Sequence, residues 1–305
     1  MLNFKELILR GVSNWKDTNA DPEAESSDCF RGSNTPLLFN DEFVADSSSH
    51  CPRIAMMRRA KVPTDYPKTF KDLASHAYGR AMEALVKELI QFAEVDGLAT
   101  AEEENFKVQV QNNGQVIYSA RPDLVIFMHG IPETACEFKS VQSNGTAEMV
   151  FENHEPKLGA CIQLAAQMHF HEINRGNICY IQGHWCDGYS FTKKKRLKFE
   201  PSFLSFDCEF DSDGWFLFNN KKSIVNKHNL EAAIGILNGL YDEGQLPVQR
   251  PRSLKASGIG AYNTCEYCSY GTMKTGICDR AESTVGGLSI ENFSDLVKQL
   301  LVKGD

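Results

Sequence analysis

The sequence contains no run of eighteen consecutive apolar residues, which excludes a conventional membrane-spanning helix within it. Its N-terminus lacks both a positively charged stretch and a long apolar core, so no secretory leader is expected. No internal repeat and no Pro/Gly/Ser-rich linker divides the chain. We therefore expect one main domain and no membrane partner, although 305 residues would allow two domains.

Positive charge is also scarce. The chain has 32 Lys and Arg against 40 Asp and Glu, which gives a net charge of -8. Because phosphate neutralisation dominates affinity for nucleic acids, any contact with DNA must come from local basic patches. Two patches are present: Lys193, Lys194, Lys195 and Arg196 with Lys198 beside them, and Arg53 with Arg58 and Arg59. The first patch has an alternative interpretation as a solvated hairpin face.

The ten cysteines show no regular disulfide framework. Six of them have no pairing pattern and are interpreted as buried thiols: Cys29, Cys136, Cys161, Cys179, Cys186 and Cys208. This usage favours a reducing, intracellular location, in the cytoplasm or nucleoid of a host cell. Cys265 and Cys268 form a CxxC pair, a pattern that most often indicates zinc.

Two short motifs carry the strongest chemical signal, Arg121-Pro122-Asp123 and Glu137-Phe138-Lys139. An apolar run and a turn signal at His129-Gly130 separate them, which predicts a β-hairpin. In such a hairpin Asp123 lies opposite Glu137, and the alternation of side chains places Glu137 and Lys139 on one face. Three charges therefore converge at one end of a sheet.

Adjacent carboxylates repel each other unless a proton or a cation neutralises them. The oxygen ligands of Asp123 and Glu137 suit a hard divalent cation, Mg2+ or Mn2+, whose remaining ligands are waters and substrate phosphates. This predicts phosphodiester hydrolysis, with Lys139 stabilising negative charge or orienting the attacking water. The alternative is an exposed strand that carries Glu and Lys by chance, since Glu155-Pro156-Lys157 repeats the pattern.

A helix is predicted before the hairpin, over residues 69–92. Its predicted buried face comprises Phe70, Leu73, Ala77, Ala81, Leu85 and Leu89. His76, Gly79 and Glu83 form another line along this helix. Gly79 permits close approach of a strand or phosphate, and Glu83 offers a further carboxylate. A solvated helix edge is the alternative interpretation of this line.

A second helix is predicted after the hairpin, over residues 158–171, and its apolar residues lie almost all round it. Such a helix is expected to be buried. Gln163 and Gln167 are one turn apart on it, and a buried amide needs a hydrogen-bond partner such as water, a carboxylate or DNA. We interpret Gln167 as a satisfied core amide.

These residues resemble the motifs of the PD-(D/E)XK nucleases, and within them those of the RecB-like branch. The resemblance rests on Gly79-x-x-x-Glu83, Pro122-Asp123, Glu137-Phe138-Lys139 and Gln163 in an apolar helix. Glu83 stands where RecB-like members usually carry His, and Gln167 where they usually carry Tyr. The resemblance implies an α/β fold with a mixed central sheet flanked by helices, a restriction-endonuclease-like core.

The resemblance also implies roles for these residues. The metal, Mg2+ or Mn2+, would be held by Asp123, Glu137, the Phe138 carbonyl and Glu83. Lys139 would act on the water or phosphate, and Gln163 would complete the site. The implied activity is exonucleolytic cleavage of DNA, preferably at single-stranded ends, in recombination, repair, CRISPR adaptation or viral DNA processing. A catalytically silent DNA-binding or assembly subunit and a restriction-type endonuclease remain alternatives. The sequence does not determine protein partners or self-association.

Iron–sulfur members of this branch hold a [4Fe-4S] cluster with one cysteine before the nuclease core and three after it. The resemblance assigns these places to Cys51, Cys265, Cys268 and Cys278, with zinc as the alternative metal. Nine residues separate Cys268 from Cys278, which is longer than the family's usual spacing. This C-terminal Cys-rich site would act as a staple, a metal-bound link between distant parts of the chain, and would close a nuclease domain over residues 51–285. An irregular segment, 1–50, would precede this domain, and a C-terminal helix, 286–305, would follow it.

Overall fold

A computed structural model describes residues 29–31, 35–45, 50–59, 70–93, 95–102, 108–112, 115–141, 146, 148–182, 202–243, 247 and 252–259. The first elements in this part of the chain are β1 (Phe30–Arg31), β2 (Leu37–Phe39), β3 (Glu42–Ala45), α1 (Pro52–Arg59), α2 (Phe70–Gln91), β4 (Leu98–Glu102), β5 (Val108–Asn112) and β6 (Gln115–Ala120). They are followed by β7 (Leu124–Met128), β8 (Ile131–Val141), a π-helical turn (Glu148–Glu152), α3 (Leu158–Phe170), β9 (Arg175–Gln182), β10 (Ser202–Phe210), β11 (Trp215–Phe218), β12 (Lys221–Asn226), α4 (Lys227–Asp242) and β13 (Arg252–Ser253).

A seven-stranded sheet forms the centre of the molecule, in the order β12-β11-β10-β9-β8-β7-β4. Strands β8 and β9 are parallel, and the other neighbours are antiparallel. Parallel neighbours need a crossover connection, which α3 provides. Helix α2 packs against β8 on one face, and α3 packs against β8 and β9 on the other. The predicted mixed sheet flanked by helices is therefore confirmed. Each helix in the described ranges is too short or too polar to cross a membrane.

Two smaller sheets have the orders β1-β6-β5 and β13-β3-β2. Strand β1 pairs with β6, and β13 with β3, both in parallel. Leu37, Val44 and Ala45 are completely buried. The prediction of an irregular N-terminal segment is therefore wrong for strands β1 to β3. Their apolar side chains belong to the core, and their backbone groups are satisfied by the pairing of β2 with β3 and by the distant partners β6 and β13.

Three hairpins of the structure share one kind of turn. Their two loop residues both have positive φ: Asn40-Asp41 (52° and 61°), His129-Gly130 (50° and 81°) and Asn219-Asn220 (46° and 62°). This is the backbone pattern of a type I′ turn, whose twist matches that of the flanking strands. The turn predicted at His129-Gly130 is confirmed, and it fixes the register of β7 against β8.

Helix α2 lies where it was predicted, but it buries a different face. Met82 and Val86 are buried and Tyr78 is partly buried, whereas Ala81 is exposed and Leu89 is 52% exposed. Leu85 of the predicted face is partly buried and packs against Met82 and Val86. The buried line is therefore shifted by about one residue from the predicted one, or roughly 100° around the helix.

Gly79 lies on the side of α2 that faces the sheet. A Cβ atom at Gly79 would lie 3.2 Å from Ser140 Oγ of β8. The missing side chain thus lets the helix approach the sheet closely at this point. Met82 and Val86, one and two turns further along the helix on the same side, are buried.

Helix α3 is buried along most of its length, as predicted. It packs tightly on β9 at Gly176, where an added Cβ atom would come within 2.4 Å of Met168 Sδ and 2.9 Å of Leu164 Cδ2. This close contact holds α3 against the sheet. Gln163 and Gln167 are thereby placed over the neighbouring strand β8.

Candidate active site

The hairpin of β7 and β8 brings the two sequence motifs together. Leu124 pairs with Cys136, and Asp123 N donates to Cys136 O at 3.1 Å. The Asp123 carboxylate then accepts a hydrogen bond from Phe138 N at 2.7 Å, through Oδ2. Asp123 therefore lies beside the Glu137-Phe138-Lys139 motif, as the sequence predicted.

Glu137 and Lys139 share one face of β8, also as predicted. Lys139 Nζ donates to Glu137 Oε1 and, at 3.0 Å, to Gln163 Oε1 of α3. Glu137 is 1% exposed, whereas the Lys139 side chain is 35% exposed. The structure thus unites Asp123, Glu137, Lys139 and Gln163, with the lysine on the open side. We call these four residues the carboxylate–lysine cluster.

Gln167 contacts the cluster in a way that the sequence interpretation missed. The residue is completely buried, as expected of a core amide. Its Nε2 donates to Glu137 Oε2 at 2.7 Å and to Arg121 O at 3.0 Å. The available signal was its spacing of four residues from Gln163, because residues four apart on a helix share a face.

Glu83 lies near the cluster but makes a different contact from the one predicted. Its Oε1 pairs with Lys87 Nζ at 2.6 Å, one turn further along α2. Its negative charge still acts on Asp123 and Lys139. Glu83 therefore contributes to the electrostatic field of the site, while its carboxylate is engaged by Lys87. His76, on the same line of the helix, is exposed.

The electrostatics of the cluster reflect its surplus of negative charge. Burial raises the pKa of Asp123 well above its ordinary value, the Glu137 carboxylate raises it further, and the Lys139 charge opposes both. Burial also works against a charged Lys139, but the Glu137 and Asp123 carboxylates outweigh it and raise the pKa of Lys139. Lys139 is therefore cationic at neutral pH, and Asp123 has a strengthened tendency to hold a proton.

The donor atoms of the cluster fit a hard divalent cation. Asp123 and Glu137 offer carboxylate oxygens, and a cation would relieve the repulsion that raises the pKa of Asp123. Among the residues that the structure describes, no three or more His, Cys, Asp and Glu side chains are grouped to hold a metal ion. A cation at this pair would therefore take its other ligands from the backbone, water and substrate.

Replacing Asp123 by Asn should stabilise the metal-free protein at neutral pH. Because the folded-state pKa lies above the ordinary value of 3.8, the folded state binds a proton more tightly than the unfolded chain. Stability of the native protein should therefore fall as pH rises from about 4 through the raised pKa. Asn imitates the protonated form and escapes this loss. Melting temperatures in EDTA across a pH series measure the effect.

The gain from Asp123→Asn should be absent at the acid end of the series and should grow toward neutral pH. Asp96→Asn, at an exposed position before β4, is the control and should leave the melting temperature unchanged throughout. If the Asp123→Asn variant melts at or below the native temperature at neutral pH, the electrostatic interpretation is contradicted.

The second predicted DNA-contacting patch requires a correction. Arg53 is 4% exposed, and its Nε donates to Pro247 O at 2.7 Å. Arg59 is also buried, with its guanidinium 3.8 Å from the centre of the Tyr241 ring. These arginines bond a backbone carbonyl and stack on an aromatic ring, so they join segments of the chain instead of facing solvent. Lys193, Lys194, Lys195 and Arg196 lie outside the described residues.

The cysteines are described only in part. Cys51 is buried immediately before α1, and its carbonyl accepts from Ala55 N at 3.0 Å. Cys265, Cys268 and Cys278 lie outside the described residues, as does the predicted C-terminal helix. Burial raises the thiol pKa of Cys136 to about 12 and that of Cys179 to about 11. Both therefore remain protonated at neutral pH. Cys136 is buried, as predicted, whereas Cys179 is only partly buried.

The second Glu-x-Lys tripeptide, Glu155-Pro156-Lys157, has a structural explanation. Glu155 Oε1 accepts a hydrogen bond from Ser257 N at 2.8 Å. Lys157 precedes α3, and its backbone N donates to the Tyr180 hydroxyl at 2.9 Å. These contacts tie the start of α3 to other segments. The tripeptide thus differs from Glu137-Phe138-Lys139, in which both charged side chains meet.

Comparison with known proteins gives partial similarities. No protein-family model matches the chain. A stretch of 44 residues, 14% of this chain, is 50% identical to the putative type I restriction enzyme MjaIXP endonuclease subunit of Methanocaldococcus jannaschii. The matched stretch spans 4% of that protein's length.

Solved structures with some likeness include two exonucleases. An alkaline exonuclease from Laribacter hongkongensis aligns with 61% of this chain and 74% of its own, at a TM-score of 0.36 and 11% identity. A phage-related exonuclease from Haemophilus somnus 129PT aligns with 63% and 81% respectively, at a TM-score of 0.36 and 12% identity.

Proposed function

We propose that this protein is a metal-dependent nuclease that hydrolyses phosphodiester bonds in DNA. The observation that carries the proposal is the carboxylate–lysine cluster, in which the Asp123 and Glu137 carboxylates meet a charged Lys139. Two carboxylates so close together are unfavourable by themselves, and groups with pKa values perturbed like those of Asp123 and Lys139 concentrate at functional sites. The short stretch of identity to an endonuclease subunit supports the same class.

The proposed roles follow from the position of each group. Asp123, Glu137 and the Phe138 carbonyl hold Mg2+ or Mn2+, with Glu83 adding negative potential from α2. A cation held there would supply Lewis acidity toward the scissile phosphate and would lower the pKa of the attacking water. Lys139, on the open side of the cluster, stabilises the negative charge that develops on the phosphate. Gln163 accepts from the Lys139 ammonium and thereby orients it.

The proposed substrate is DNA with a free end, preferably single-stranded, cut exonucleolytically. This choice rests on the resemblance of the cluster motifs to those of RecB-like nucleases. Because the whole chain is acidic, contacts to phosphate must be local. Lys193, Lys194, Lys195 and Arg196 are proposed to supply some of them.

We also propose that Cys51, Cys265, Cys268 and Cys278 hold one structural [4Fe-4S] cluster, with zinc as the alternative. Such a cluster requires the residues around Cys51 to lie close to those that precede Cys265, and two contacts support this proximity. Arg53, two residues after Cys51, bonds the carbonyl of Pro247, and Ser253 pairs with Ala45. The segment that leads to Cys265 is thus held beside the segment that leads to Cys51. Soft thiolate ligands select iron–sulfur clusters or zinc over Mg2+.

Purified protein should degrade end-labelled single-stranded DNA when Mn2+ or Mg2+ is present and should be inactive in EDTA. The same assay should include double-stranded DNA and covalently closed circles, since an exonuclease requires an end. Cutting of closed circles at defined sequences would favour the restriction-type endonuclease instead. Binding of DNA without cleavage under any metal condition would favour the catalytically silent subunit.

A further inference from the structure

We propose that Gln167 is a positioning residue for the metal ligands, a role that rests on the proposed metal-dependent function. Its single amide nitrogen bonds both motifs of the site. One bond goes to Glu137 Oε2, and the other goes to the carbonyl of Arg121, two residues before Asp123. Gln167 therefore ties the orientation of one carboxylate to the backbone that carries the other.

Glu137 depends on this bond for its orientation. The terminal torsion of a glutamate side chain has broad preferences, so its two oxygens must be fixed by their partners. Lys139 bonds Oε1 and Gln167 bonds Oε2. The Lys139 side chain is partly exposed and ends in a rotatable ammonium, whereas Gln167 is completely buried and rigidly held in α3. Gln167 is thus the more rigid of the two constraints.

The carbonyl oxygen of the Gln167 amide supports a role beyond packing. Its Oε1 is buried and accepts no hydrogen bond from the residues that the structure describes. A buried acceptor without a donor is unfavourable, and an apolar side chain of similar size would avoid that cost. The amide nitrogen and its two bonds are therefore the feature that favours Gln at this position.

Gln167→Met tests the proposal, because Met keeps the approximate shape and removes both donated bonds. Outer partners of metal ligands typically change metal affinity by about 10- to 100-fold when mutated, and a weakening in this range is expected for Mn2+. Free Mn2+ is measured by electron paramagnetic resonance with the metal as the only ligand added. In cleavage assays the kcat at low Mn2+ should fall, the KM for DNA should not change, and high Mn2+ should restore part of the activity.

Asn238→Leu is the matched control. Asn238 is another buried helical amide, on α4, where it accepts from Arg59 and donates to Asp242. Its loss should lower the melting temperature and leave Mn2+ affinity per folded molecule unchanged. A purely structural role for Gln167 would give the same pattern as this control.

Folded Gln167→Met protein with native Mn2+ affinity overturns the positioning role. If that variant does not fold, Gln167→Asn replaces it, since Asn keeps a buried amide that is one methylene too short to reach Glu137. Weakened Mn2+ binding is again expected, and native affinity again overturns the role. Native protein that binds Mn2+ through Glu137 but cleaves no DNA would overturn the nuclease proposal alone. Native protein that binds no Mn2+ would overturn both.

Discussion

Asp123→Ala, Glu137→Ala and Lys139→Ala should each reduce DNA cleavage by about 100-fold or more. Removal of a single group that stabilises transition-state charge commonly costs about 10²- to 10³-fold in kcat, and loss of a metal ligand removes the cation as well. The three residues act on one phosphate and one water. Their effects should therefore not add, and a double variant should be little worse than the poorer single variant.

Single-turnover cleavage of end-labelled DNA in Mn2+ measures these losses, and circular dichroism verifies that each variant is folded. Glu155→Ala and Lys157→Ala, at the tripeptide that repeats the pattern elsewhere, are the controls and should retain native rates. Robust Mn2+-dependent cleavage by a folded Asp123→Ala, Glu137→Ala double variant would show that the carboxylate–lysine cluster is not the active site.

Serine substitution of Cys51, Cys265, Cys268 or Cys278 should remove the colour of the protein and much of its stability. Iron–sulfur clusters absorb broadly in visible light, whereas zinc is colourless, so anaerobically purified native protein should be brown. A serine at any ligand position leaves the staple open, and the free energy of metal binding no longer contributes to folding. Visible spectra, iron and zinc analysis and melting temperatures measure the two effects together.

Cys179→Ser is the control for this series, since Cys179 lies in β9 among the described thiols and is not a proposed ligand. It should keep the colour. Colourless native protein with one equivalent of zinc would replace the iron–sulfur cluster by zinc and keep the staple. Native colour and stability in Cys278→Ser would remove Cys278 from the ligand set, with His50 or another cysteine as the next candidate.

The sequence by itself determined the elements and the hairpin at the centre of the site. Helices α2 and α3 were predictable because apolar residues repeat at helical spacing over many residues. The turn at His129-Gly130 was predictable because a two-residue loop with positive φ favours glycine. Strand alternation then sufficed to place Asp123 beside Glu137 and to put Lys139 on the face of Glu137. These properties depend on residues close together in the chain.

Only the tertiary structure decided which surfaces and side chains meet across long stretches of sequence. Helical periodicity allows several faces of α2, and the approach of Gly79 to Ser140 selected one of them. The amide of Gln167 donates a hydrogen bond to Glu137, thirty residues away, and Arg53 donates one to the carbonyl of Pro247. Partners of buried polar groups depend on how separate elements pack, because each group bonds whatever donor or acceptor the fold places within reach. Composition and spacing contain no direct record of that geometry.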